Sequence, residues 1–131
     1  MANQQNSPFS WEIDGTVAIF RLLKPSSGLG IHCTATATDL PVAVSQEAGV
    51  DGDVICVEDV KRAGTHKITA SGAITKGADI YAAAAGKVQA LPGTAGTYRK
   101  VGFALEAAST DGDIIEAWLD LAGDTTVVSG S

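Results

Sequence analysis

The sequence predicts a mainly β protein, a small single-domain β-barrel or tulip-like fold with an extended N-terminal arm and little helix. Three observations carry that expectation. Thirty-two residues are Val, Ile or Thr against nine Leu or Met, and branching at Cβ restricts χ1 in helices while packing well on a pleated surface. Short stretches alternate or run apolar at strand length, as in Thr34-Ala35-Thr36-Ala37-Thr38 and Asp113-Ile114-Ile115-Glu116-Ala117-Trp118-Leu119. Turn-forming pairs punctuate the chain about every ten residues, a spacing typical of sandwiches and barrels.

Taken in order, residues 2–10 are uncharged and polar, with Pro8 and Phe9, and cannot build a core. They predict an arm over residues 1–12, ahead of a β-rich domain over residues 13–123 and a light tail over residues 124–131. Pro25-Ser26-Ser27-Gly28 breaks the chain after Leu22. Pro41-Val42-Ala43-Val44 reads as a strand, and residues 46–48 have room for one short helical turn. Asp51-Gly52 then turns the chain into the apolar run Asp53-Val54-Ile55-Cys56-Val57-Glu58. Ala63-Gly64, Ser71-Gly72 and Lys76-Gly77 divide the next stretch. Residues 79–84 are expected to be a strand closing at Gly86-Lys87, because the alanine run there is too short to nucleate a helix alone. Pro92-Gly93 and Asp111-Gly112 mark the last turns, with strands at residues 101–104 and 113–119.

An internal echo runs at an offset of 60 residues. Ala48, Asp51-Gly52-Asp53 and Ile55 recur as Ala108, Asp111-Gly112-Asp113 and Ile115, with Val54 matched by Ile114. Upstream, Pro41-Val42-Ala43-Val44 aligns with Val101-Gly102-Phe103-Ala104. Two copies are too few for a solenoid, but they suggest two similar β-units in one domain.

Composition narrows the function. At 131 residues the chain has the size of one domain, and 45% hydrophobic against 18% charged residues is a folding composition. Net charge is −6, and no Lys or Arg follows Lys100. A basic stripe for nucleic acid is therefore missing, and no direct nucleic-acid partner is expected. The N-terminal stretch has no positive n-region or apolar h-region, so neither a secretory signal nor a membrane partner is expected. Cys33 and Cys56 could pair, but they are more simply read as reduced small hydrophobes.

Catalytic chemistry is poorly provided. His32 and His66 share no motif, and no nucleophile-elbow pattern occurs. Neither cysteine lies in a Cys-x-x-Cys pair, so no zinc site is expected. From Asp51, calcium-loop positions five and twelve fall on Ile55 and Arg62; from Asp111 they fall on Ile115 and Ala122. These acidic pairs read as hairpin-type turns. Only 5% of residues are aromatic, too few to line a sugar-cleaving cleft. The expectation is a protein without catalytic residues, cofactor or metal.

Three further blocks are distinctive in combination: Ala73-Ile74-Thr75-Lys76-Gly77-Ala78-Asp79-Ile80-Tyr81, then Gly86-Lys87-Val88, then Lys100-Val101-Gly102-Phe103-Ala104-Leu105-Glu106-Ala107-Ala108-Ser109-Thr110-Asp111-Gly112-Asp113-Ile114-Ile115. Residues 72–119 thereby resemble the capsid cement, or head decoration, proteins of tailed bacteriophages and prophages, with Gly77, Gly86, Gly102, Asp111, Gly112 and Asp113 as the family-like fold motif. The resemblance implies a structural protein made in the host cytoplasm and lodged on the outer surface of the virion. There, as a homotrimer, it would bridge neighbouring subunits of the major capsid protein and hold the expanded head against the pressure of packaged DNA. Gln4, Gln5, Asn6, Pro8, Phe9 and Trp11 are the expected shell contacts, an arm able to add to a partner's sheet edge. Two other readings stand beside it. One is a non-catalytic carbohydrate- or receptor-binding module displayed on the virion, using Trp118, Tyr98 and Tyr81. The other is a β-barrel subunit of a larger enzyme.

Overall fold

The computed structural model describes residues 9–25, 31–33, 41–59, 65–119 and 125–128. The described residues contain eleven strands and one short 3-10 turn. The first five are β1 (Phe9–Glu12), β2 (Leu22–Pro25), β3 (Ile31–Cys33), β4 (Ala43–Ser45) and β5 (Val54–Asp59). They form one antiparallel sheet in the order β1-β5-β4-β2-β3. The next five are β6 (Thr65–Thr69), β7 (Asp79–Ala82), β8 (Val88–Gln89), β9 (Gly96–Ala104) and β10 (Ile114–Leu119), and they pair in the order β6-β10-β9-β7-β8. The two orders are the same topology, so the chain is two copies of one β-unit.

The hydrogen bonds repeat as well. Ile13 N–H donates to the Asp53 carbonyl at 2.9 Å, and Ala70 N–H donates to that of Asp113 at 2.8 Å. Val17 and Gly49 bond each other in both directions, as do Ile74 and Ala108. The Glu47 carboxylate accepts from Cys56 N–H at 2.8 Å, and the Glu106 carboxylate accepts from Glu116 N–H at 2.7 Å. The Asp-Gly-Asp turns correspond at the offset of 60, as expected. Upstream the expected alignment is one residue out: Gly49, not Ala48, corresponds to Ala108, and Ser45 corresponds to Ala104. The cause is Ser109, an extra residue in the second unit, whose N–H makes an added 2.8 Å bond to the Asp113 carboxylate. Packing compensates between the units. A Cβ on Gly49 would meet Ile13 at 3.0 Å and Ile55 at 2.9 Å, whereas Ala108 has its methyl group and the position of Ile13 is held by Ala70.

Each unit has a core. Ile13, Val17, Leu23, Ala43, Ile55 and Val57 pack together in the first. The second is larger and includes Ile68, Ile74, Ile80, Ala82, Val88, Val101, Ile115 and Leu119. Leu22 and Val44, from the other face of the first sheet, are buried in that second core. The two units are therefore stacked, with the outer face of the first sheet closing the second.

Four sequence expectations differ in detail. The sheets are not closed into a barrel: a single bridge, Ala70 with Val88, spans the ends of the second sheet, and the two-residue β8 is too short to continue the ladder. The strand after Asp79 stops at Ala82, and Ala84–Gly86 makes the 3-10 turn. Residues 46–48 hold no helical turn: 46–47 are a bend, with the Glu47 carboxylate accepting from Cys56 N–H. The tail contributes a strand, β11 (Thr125–Val128), paired with the first half of β9. That pairing is available because β9 is nine residues long and β10 covers only its far end. The alternating run at residues 34–38 lies outside the described residues.

Candidate docking surface

The residues at the seam between the units, and their counterparts elsewhere in the repeat, define the candidate site. β2 carries two adjacent leucines whose side chains point to opposite faces, as strand geometry requires. Leu23 enters the first core and Leu22 the second, and both are fully buried. Around them Thr69 N–H donates to the Phe20 carbonyl at 3.0 Å, and Arg21 donates to the Ala85 carbonyl at 2.9 Å. His66 Nδ1 lies 2.8 Å from a Glu58 carboxylate oxygen, the His66 side chain being fully buried. Gly86 closes the seam. Its φ is +74°, and a Cβ there would come within 2.7 Å of the Leu22 carbonyl oxygen, so only glycine fits without displacing β2.

Cross-strand registers place Leu22, Val44 and Glu58 side by side across β2, β4 and β5. Asp79, Phe103 and Trp118 occupy the same positions across β7, β9 and β10. The row that forms the seam in the first unit is thus solvent-facing in the second. Phe103 is 36% exposed and Trp118 38% exposed, and their rings stack with centroids 6.4 Å apart and planes 12° from parallel. Lys100 with Asp79 and Lys67 with Glu116 frame the aromatics as exposed ion pairs, each worth little by itself. The period-two reading of β10 is correct: Ile115, Ala117 and Leu119 are buried, and Trp118 shares the open face with Glu116.

The motif residues serve architecture. The Asp113 carboxylate accepts from the N–H groups of Ser109 at 2.8 Å and Thr110 at 3.1 Å, which holds its pKa below the ordinary aspartate value. Asp51 caps Gly15 N–H and Asp53 caps Val50 N–H, both at 2.9 Å. Asp111 pairs with Lys87 at 2.7 Å. Gly77 and Gly112 sit in turns at positive φ. The first unit manages the Gly77 position with Phe20, a non-glycine held at φ 57° by bonds to Ser45 and Thr69. Gly102 lies in β9 where a Cβ would fall on the Trp118 carbonyl oxygen and 2.9 Å from Leu119 Cα.

Phe9 and Trp11 belong to β1, paired with Val57 and Ile55 of β5, so the arm's inner end is an edge strand of the first sheet. Gln4, Gln5, Asn6 and Pro8 lie outside the described residues. Of the three aromatics considered for a sugar platform, Tyr81 and Tyr98 are buried, Tyr98 with its hydroxyl donating to the Thr94 carbonyl at 2.8 Å. Cys56 is a free thiol, half-buried. Among the described residues no cluster of His, Cys, Asp or Glu is arranged to hold a metal ion, and no helix is long and apolar enough to cross a membrane.

The class defined by these features is a tandem β-unit fold with stacked antiparallel sheets. It is shared with a solved phage structure, the head fibre gp8.5 N base of bacteriophage phi29, at a TM-score of 0.69 and 20% identity. The match covers 86% of this chain and 92% of that one. No family model and no curated protein matches the chain.

Proposed function

We propose that this chain is a structural protein of a phage virion, carried on the outer surface of the head, where it reinforces the expanded shell. The observation that carries the reading is the shared fold over 86% of the chain with a head-fibre base. The cement-protein resemblance of residues 72–119 agrees with it.

The physical requirements suit such a molecule. Packaged DNA pushes outward, and a protein that binds only the expanded lattice stabilises it by mass action, without turnover. Many weak contacts repeated over a lattice act together. In this reading three copies sit at a local three-fold position and bridge subunits of the major capsid protein. The segment bearing Gln4, Gln5, Asn6 and Pro8 runs from the edge strand β1 onto the shell, adding to a capsid sheet edge by main-chain hydrogen bonds. Phe9 and Trp11 mark where that segment leaves the domain. Three carboxylates of the acidic turns, Asp51, Asp53 and Asp113, accept from backbone N–H groups and the fourth, Asp111, pairs with Lys87, which supports a mechanical role over a catalytic one.

The test is binding of the full chain to expanded and unexpanded heads, followed by co-sedimentation. Retention on expanded heads alone is expected, and removal of residues 2–8 should lower occupancy. Equal binding to both head states would overturn the reading; undiminished occupancy after the deletion would overturn the arm assignment.

A further inference from the structure

We infer that the outer face of the second sheet docks a second copy of this chain, seated head to tail, so that the seam inside the chain is repeated between chains. The seam has a donor face, the row Leu22, Val44 and Glu58, and an acceptor face on the second unit, with Ile68, Ala82 and His66 among its residues. Both faces recur in the other copy of the repeat. The second donor face is the row Asp79, Phe103 and Trp118. The second acceptor face lies on the first unit. Trp11 pairs with Ile55 as Ile68 pairs with Ile115, and Pro25 pairs with Ile31 as Ala82 pairs with Val88. Ile68 and Ala82 are fully buried by the seam, whereas Trp11 is 39% exposed and Pro25 is exposed. One chain therefore presents an exposed donor row at one end and, at the other, an acceptor face whose core is buried and whose positions Trp11 and Pro25 are exposed.

The residue changes are matched across the two faces. Inside the chain the seam is pinned by Glu58 and His66 at 2.8 Å. Trp118 stands at the repeat position of Glu58, and Phe9, paired with Val57 as His66 pairs with Ala117, stands at that of His66. At these register positions aromatic residue types stand in place of the Glu and the His of the seam, and Phe103 stands in place of Val44. Such a change fits a contact between separate molecules, where large aromatics supply the anchoring area. A second copy is the occupant because its first unit carries the surface to which this row corresponds. A donor-to-acceptor contact of this kind has no two-fold axis and joins copies into a ring when the rotation closes. It assigns Phe9 and Trp11 to the contact between copies and leaves the segment before them for the shell.

Sedimentation velocity of the full chain, without heads present, tests this independently of shell binding. The unmodified protein should associate as concentration rises. Trp118→Glu should weaken association by on the order of thirtyfold, as loss of a central anchor does. Adding Phe9→His to Trp118→Glu rebuilds the Glu–His pair of the seam and should recover association in part. Ile114→Glu, exposed on the same sheet but outside the row, should leave the mass unchanged, and circular dichroism should report the same β content for every variant. A monomer at all concentrations, a Trp118→Glu protein that associates normally, or a double variant no better than Trp118→Glu would each overturn the inference.

Discussion

Leu22→Ala separates a stacked pair of β-units from two units merely joined in sequence. Leu22 belongs by sequence to the first unit, yet its side chain is fully buried in the core of the second. Burying a leucine side chain contributes about 1.5–3 kcal/mol by transfer. Truncation adds a cavity term where neighbours cannot collapse, and measured costs for such sites run about 2.7–5 kcal/mol. The Leu22 site is flanked by backbone that is already bonded, Thr69 N–H to the Phe20 carbonyl and Ser45 N–H to the Arg21 carbonyl, so collapse is restricted and about 3 kcal/mol is expected. With an unfolding entropy of about 2.1 cal/mol/K per residue, a 131-residue chain should lose roughly 11 °C in Tm. Urea denaturation gives the stability, and hydrogen exchange gives the location. Amides of β6 and β10, in the second unit, should lose protection although the substitution is in β2. A cost below about 1 kcal/mol, or faster exchange confined to the first unit, would refute the stacked arrangement.

Gly86→Ala should destabilise by about 2–4 kcal/mol, adding left-handed backbone strain to crowding against the Leu22 carbonyl; thermal melts measure it, and a neutral result would contradict the seam geometry. Gly102→Ala should cost about 3 kcal/mol or prevent folding, because β9 and β10 cannot part to admit a methyl group without losing ladder bonds; soluble yield and near-ultraviolet dichroism report the outcome. Asp113 has a folded pKa below its ordinary value, so its contribution is complete above the ordinary value and is lost as pH falls through the lowered one. Asp113→Asn should therefore flatten the acid limb of the stability curve, measured by melts at stepped pH, while an unchanged limb would remove Asp113 from the cause.

Much of the architecture was legible in the residues. The Asp-Gly-Asp turns and the runs behind them predict β5 and β10 because an acidic turn followed by β-branched residues has few other solutions. The repeat was visible because the turn chemistry is the same in both units. Its alignment slipped by one residue upstream because Ser109 adds to the loop without altering the turn it precedes. The seam was harder to see. A strand with one buried face alternates, and Asp79-Ile80 in the second unit does so; Leu22-Leu23, at the same place in the first, does not. Two adjacent apolar residues on a short strand signal burial on both faces, and comparison of the two copies position by position would have exposed the difference. Barrel closure depends on strand lengths and on which edges meet, which turn residues do not encode. The tail strand was not readable either, since its pairing site on β9 exists only once β10 has left that half of the strand uncovered.

Cryo-electron microscopy of the mature particle bears most directly on the proposed role. Density on the outside of the head that fits two stacked β-units per chain, touching more than one major capsid subunit, is the predicted result. Mature heads that lack this protein altogether would contradict it.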